Sequence, residues 1–224
     1  NEDAYLTAVD QYPDLNDGAV RFALADGATE ASFSKEWAEL LVQGFENLAF
    51  DPLSLAGTLG SLAKDWKRSV KHKTLPWYAA EKLSEGAFAT FLGLAIDLKS
   101  GIFQAVAIGD VVLFNIRKDE LISSFPVTDP ANFSSTPALI STEADYASQF
   151  TEKVSYLTGD IRPGDILLLA TDALAHFILL QALRTEKPKV WKHLQELLYT
   201  GDQGAFKAWV QTQRRKKQIK NKSE

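Results

Sequence analysis

The chain has 224 residues, 46% hydrophobic and 24% charged, with a formal net charge of −5. Those proportions belong to an ordinary globular protein, which excludes a disordered or fibrous chain, and the acidic balance argues against the broadly basic face of a nucleic-acid binder. The absence of cysteine excludes a disulfide framework and a thiolate metal site, and a cytoplasmic setting is expected.

The elements follow in chain order. Residues 19–25 alternate Val20, Phe22 and Leu24 with Arg21, Ala23 and Ala25, the period-two pattern of a strand. Ser34 reads as a helix N-cap, with Trp37, Leu40, Leu41, Phe45 and Leu48 at helical spacing behind it. A second helix is expected over 53–71, capped by Asp51 with Pro52 at its first position. From Gly86 the pattern becomes strands at 88–97, 102–108 and 111–117, joined by turn signals at Lys99-Ser100-Gly101 and Gly109-Asp110. These short joints predict an antiparallel meander.

Residues 124–148, rich in Pro, Ser, Thr and Ala, read as an irregular excursion of the length that usually carries function. Arg162-Pro163-Gly164-Asp165 then turns into a strand at 166–170, and helices are expected at 173–183, 189–198 and 204–215. The apolar runs at 166–169 and 177–180 are split by Thr171, Asp172 and His176, far short of the ~20 apolar residues of a membrane span. The opening Asn-Glu-Asp has no signal-peptide pattern. Helices, then strands, then helices favour an α+β domain over alternating parallel units, and the length suits a single domain over 1–224.

Acids stand where strands end. Asp26-Gly27 closes the strand at 19–25, Asp172 follows the strand at 166–170, Asp110 follows the strand at 102–108, and Glu2-Asp3 precedes an apolar stretch. Carboxylates gathered at strand ends repel one another unless a cation sits among them, and an all-oxygen set suits Mg²⁺ or Mn²⁺ rather than Zn²⁺. Each residue also has a structural reading: Asp26-Gly27 and Asp110 as turn residues, Asp172 as a helix N-cap, Glu2-Asp3 as solvated charge. The five tryptophans, Trp37, Trp66, Trp77, Trp191 and Trp209, read as packing residues. His176, four residues past Asp172 on the same expected helix, reads first as a packing or capping residue.

Taken in order, the motifs resemble the metal-dependent serine/threonine protein phosphatases of type 2C, the PPM family. Asn1-Glu2-Asp3-Ala4 resembles the family's opening motif, and Ala25-Asp26-Gly27 its Asp-Gly. Gly86-Ala87-Phe88-Ala89-Thr90 stands where the family writes Gly-Ser/Thr-Thr-Ala. Ile108-Gly109-Asp110 resembles its Val-Gly-Asp-Ser hairpin, which ends in an Arg, and residues 164–172 resemble its Gly-Asp-x-Leu-Leu-Leu-Ala-Ser-Asp.

The resemblance implies a four-layer α-β-β-α sandwich, two stacked antiparallel sheets flanked by helices, with two Mn²⁺ or Mg²⁺ ions at one end. It implies that Asp26 bridges the metals, that Glu2 and the Gly27 carbonyl hold one and Asp172 the other, that Asp3 positions a metal-bound water, and that Asp110 belongs to a third metal site. It implies a monomer acting on a phosphorylated protein, with no nucleic-acid or membrane partner, and with 124–148 as a flap beside the site.

Two departures favour an alternative, a catalytically impaired regulatory or binding module. Ala28 follows Asp26-Gly27 where the family often has His, and Lys222-Ser223-Glu224 stands where the family closes with Asp-(Asp/Asn).

Overall fold

The computed structural model describes residues 2–6, 19–29, 31, 33–45, 52–71, 83–134, 136–143, 153–183, 190–216 and 218–219. Asn1, Asp51, His72, Trp77, the last residues of the 124–148 excursion and Lys222-Ser223-Glu224 lie outside them. The chain divides into two compact units, Asn1–Val111 with Thr136–Arg162, and Val112–Ser135 with Pro163–Glu224. The described residues form two antiparallel sheets and five α-helices, the α+β class expected from the sequence.

In the first unit the strands are β1 (Asp3–Leu6), β2 (Ala19–Gly27), β3 (Phe88–Asp97), β4 (Ile102–Ile108), β7 (Ile140–Ser141) and β8 (Ser155–Asp160). The sheet runs β1-β2-β3-β4-β8, with β7 also on β3. Two helices, α1 (Ser34–Gly44) and α2 (Pro52–Val70), complete the unit.

The alternation in β2 sorts side chains to opposite faces. One row in register is Ala4, Ala25, Phe91 and Ile108, and a second, two residues along, is Leu6, Ala23, Gly93 and Val106. Both rows except Gly93 belong to the hydrophobic cluster shared with α1 and α2. Small residues there let α1 lie close: the Phe45 ring covers Gly93, where any Cβ would come within 2.2 Å of it, and meets Phe91 edge-on at 5.7 Å. On α2 the buried residues Leu55, Leu59, Ala63, Trp66 and Val70 recur every three or four positions, one helical face.

In the second unit β5 (Val112–Arg117) lies between β6 (Glu120–Phe125) and β9 (Ile166–Ala170). Its helices are α3 (Asp172–Ala182), α4 (Val190–Tyr199) and α5 (Gln203–Arg215). Val112, Phe114 and Ile116 alternate into a core with Phe177, Ile178, Trp191 and Leu194. The described tryptophans pack as the sequence suggests. Trp37, Trp66 and Trp191 are buried and each donates its indole N–H to a backbone carbonyl, of Ile140, Phe33 and Asp119 respectively. Trp209 packs against Phe177, His193 and Phe206.

Two expectations are corrected. The strands at 88–97, 102–108 and 111–117 do not form one meander: β3 pairs with β4, but β5 pairs with β6 and β9 in the other sheet. The second edge of β4 is taken by β8, so the chain leaves the sheet at Gly109, whose φ of +90° suits glycine. Ser34 is not the cap of α1 but its first residue. The cap is Phe33, in the left-handed region at φ 58°, and its carbonyl accepts from both Trp37 N–H and Trp66 Nε1. No helix among the described residues is long and apolar enough to cross a membrane.

Candidate metal and phosphoester site

The row adjoining Ala4-Ala25-Phe91 is Asp3, Asp26 and Thr90, in register on β1, β2 and β3. By the two-residue period it faces away from α1 and α2. Asp3 and Asp26 are therefore direct cross-strand neighbours, a geometry that brings Cβ atoms to roughly 4.5–5.5 Å and makes like charges repel. Among the described residues, Asp3 Oδ1 and Glu2 Oε2 are buried without a hydrogen-bond partner. Buried carboxylate oxygens left unpaired are costly, so this end of the sheet is poised to take a positive group.

Backbone contacts fix these acids. Gly27 N–H donates to the Glu2 carbonyl at 3.2 Å and Ala28 N–H to Phe88 O at 2.8 Å. A Cβ on Gly27 would come within 2.7 Å of the Ser34 carbonyl oxygen and 3.0 Å of that of Glu2. Only glycine lets the end of β2 pass between the start of α1 and the backbone of Glu2, just before β1. Asp110 follows Gly109 in the turn after β4, and Gly109 abuts Thr90: a Cβ there would lie 2.4 Å from the threonine methyl.

Asp172 belongs to the second unit. It is the first residue of α3, exposed, and its Oδ1 accepts from Ala173 N–H; Thr171 is the cap. His176, on the next turn, meets the Phe133 ring edge-on at 5.4 Å, the packing role read for it from sequence. Among the described residues no three His, Cys, Asp or Glu side chains gather to hold a metal ion. The first unit thus brings Glu2, Asp3, Asp26 and Gly27 to one sheet end.

Sequence reading missed the other charged constellation. Arg117, at the end of β5, donates Nε to Asp165 Oδ1 at 2.8 Å and Nη2 to Oδ2 at 2.7 Å. The Asp165 side chain is only 1% exposed and that of Arg117 19%. The Arg after the Gly-Asp motif and the Asp of the later Gly-Asp motif are thus partners within the second unit. The signal lay in the two motifs, but nothing in their spacing of 48 residues tells that they meet.

The family profile of protein phosphatase 2C matches residues 1–213, and the chain belongs to that family. Three solved structures share its fold. The photosystem II phosphatase PBCP is 19% identical, with 88% of this chain and 72% of that one covered and a TM-score of 0.52. The Mycobacterium tuberculosis serine/threonine phosphatase PstP/Ppp is 17% identical, covering 88% and 85%, with a TM-score of 0.54. The catalytic domain of the serine/threonine protein phosphatase PstP in complex with two manganese ions is 16% identical, covering 88% and 84%, also with a TM-score of 0.54. A search of curated proteins found no match.

Proposed function

We propose that this chain is a metal-dependent phosphatase that hydrolyses phosphoserine or phosphothreonine in a protein substrate, residues 1–224 acting as a single monomeric domain. The observation that carries the reading is the facing pair Asp3 and Asp26, with buried unpartnered oxygens on Glu2 and Asp3. Membership of the family supports it.

The donors fit a hard divalent cation, since Mg²⁺ and Mn²⁺ take carboxylate and carbonyl oxygens. Asp26 and Glu2 would hold it, with the Gly27 carbonyl, and a cation between facing carboxylates converts their repulsion into attraction. A bound pair of such ions supplies a nucleophile from water at neutral pH and neutralises charge on the phosphoryl group. The chain's own work is to orient. The Gly27–Glu2 hydrogen bond holds β1 and β2 in the register that sets Asp3 against Asp26, and Asp3 would position the attacking water. Asp110, in the same unit, would belong to a third metal site. Hydrolysis through water needs no cysteine or other covalent nucleophile, which agrees with a chain that has no cysteine.

The second reading, an impaired regulatory module, is favoured by Ala28, whose methyl offers no proton to a leaving group. The test is hydrolysis of an aryl phosphate with Mn²⁺, with and without EDTA, beside Asp26→Asn. Metal-dependent turnover that falls at least ~100-fold in the variant supports the enzyme. A folded, Mn²⁺-supplied wild type without turnover rules it out and leaves the binding module.

A further inference from the structure

Thr90 is an anomaly in its strand. It is 4% exposed, and its hydroxyl is buried without a partner among the described residues. A valine of the same shape would remove that cost, and β3, FATFLGLAID, is otherwise apolar up to the exposed Asp97 at its end. Its place is specific: Thr90 is the register partner of Asp26, which is the partner of Asp3. Its orientation is also constrained. On the β4 side the methyl lies against Gly109, close enough that any Cβ there would clash with it. The branch facing Gly109 is thus the methyl, and the hydroxyl is left for the rest of the row.

Two buried oxygens without partners, on Asp3 and Thr90, therefore flank Asp26 in one row, and a third, on Glu2, lies just before the same strand. We propose that Thr90 is a positioning residue of the cation site, its hydroxyl accepting a hydrogen bond from a water in the shell of a divalent ion held by Asp26. The inference rests on the metal-site reading above. An outer partner of this kind fixes the ion's shell and typically changes metal affinity about 10–100-fold when lost. Gly109 has a part in it: the glycine admits the methyl, and the methyl fixes which way the hydroxyl turns.

The test is Mn²⁺ affinity, read by loss of the free-ion electron paramagnetic resonance signal and by calorimetry, on the full chain as wild type, Thr90→Val, Thr90→Ser and Asp26→Asn. Thr90→Val should bind Mn²⁺ about tenfold or more weakly. In EDTA it should melt no lower than wild type and up to a few degrees higher, because an unsatisfied buried hydroxyl has been removed. Thr90→Ser keeps the hydroxyl and should restore most of the affinity. A Val variant with wild-type Mn²⁺ affinity, or one that melts lower without metal, overturns the role of Thr90 and leaves the site reading standing. A Ser variant as weak as Val also overturns it. A wild type that does not bind Mn²⁺, or an Asp26→Asn variant that binds as well as wild type, overturns the site reading and the inference together.

Discussion

Removing the guanidinium of Arg117 tests whether the second unit depends on its buried ion pair. Asp165 is almost wholly enclosed and takes both of its carboxylate oxygens to Arg117 in a two-pronged pair at 2.7–2.8 Å. Arg117→Met keeps most of the aliphatic stem and deletes the charge, leaving a carboxylate in a site with little water. Breaking one side of a buried pair costs about 3–5 kcal/mol, mostly the desolvation of the stranded partner. For a chain of this length each kcal/mol is worth roughly 2–4 °C, so the melting point should fall by about 6–20 °C.

The same variant carries a pH signature. Without the guanidinium the Asp165 carboxylate is less favoured than in wild type, so its protonation relieves part of the loss. The deficit of Arg117→Met against wild type should therefore be largest at neutral pH and shrink as the pH is lowered, in thermal melts followed by circular dichroism. The double variant Arg117→Met with Asp165→Leu, which removes both charges, should recover most of the loss, because an apolar pair of similar bulk is often as stable as the ion pair. A single variant melting within about 3 °C of wild type, or a deficit equal at every pH, would refute the reasoning.

Further outcomes follow from the same geometry. Asp26→Asn should raise the melting point in EDTA slightly while abolishing stabilisation by Mn²⁺, because it removes the repulsion with Asp3 along with the ligand, worth about 0.2–1 kcal/mol; differential scanning fluorimetry with and without the ion reads both. Gly27→Ala should destabilise by about 1–3 kcal/mol and weaken Mn²⁺ binding, since both contacts its Cβ would make are to backbone that cannot swing away. Asp97 has its carboxyl held below the ordinary 3.8, first by the Ser100 hydroxyl and then by the Lys99 and Ser100 amides. Its lowered folded pKa means stability present above 3.8 and lost as pH falls below it, so the melting gap to Asp97→Ala should be full at pH 6 and narrow below pH 4. Exchange of residues 124–148 for those of another family member should change phosphopeptide preference while leaving aryl phosphate turnover intact; unchanged preference would refute a selecting role.

The legible parts of the fold were those where one face is apolar. The alternation in β2, the bounds of β3 and β4, and the span of α2 to within a residue at each end all stand in the structure as read. What escaped was set by partners distant in sequence. β8 alternates half-buried and exposed residues along Ser155–Asp160, too weak a pattern to announce a strand until β4 is beside it. β6 follows Arg117 after a two-residue turn and carries Ser123 and Ser124; no element was expected over its first residues, and its last two fall in the segment expected to be irregular. The change of sheet at Gly109 was invisible because a tight Gly-Asp joint serves a hairpin and a crossover equally well. At the candidate site the acids were legible from their places at strand ends, but Thr90 was not: a threonine in a strand looks like good β-propensity until its row shows two aspartates.

The path of the chain between the two units bears on how the protein is made. It leaves the first unit at Val111, returns at Thr136 and leaves again at Pro163, so neither unit is a continuous stretch. While a ribosome extends the chain, β4 emerges with one edge open, and its cover, β8, follows about 50 residues later, roughly 2–10 s at ordinary rates of synthesis. That edge carries Phe103, Ala105 and Ala107, in register in the finished protein with Gly159, Leu157 and Ser155, and an uncovered apolar edge invites pairing with another chain. A fragment cut at residue 111 would keep the exposure permanently. Expression yield should therefore respond to slowed synthesis between 111 and 155 more than to slowing after 163.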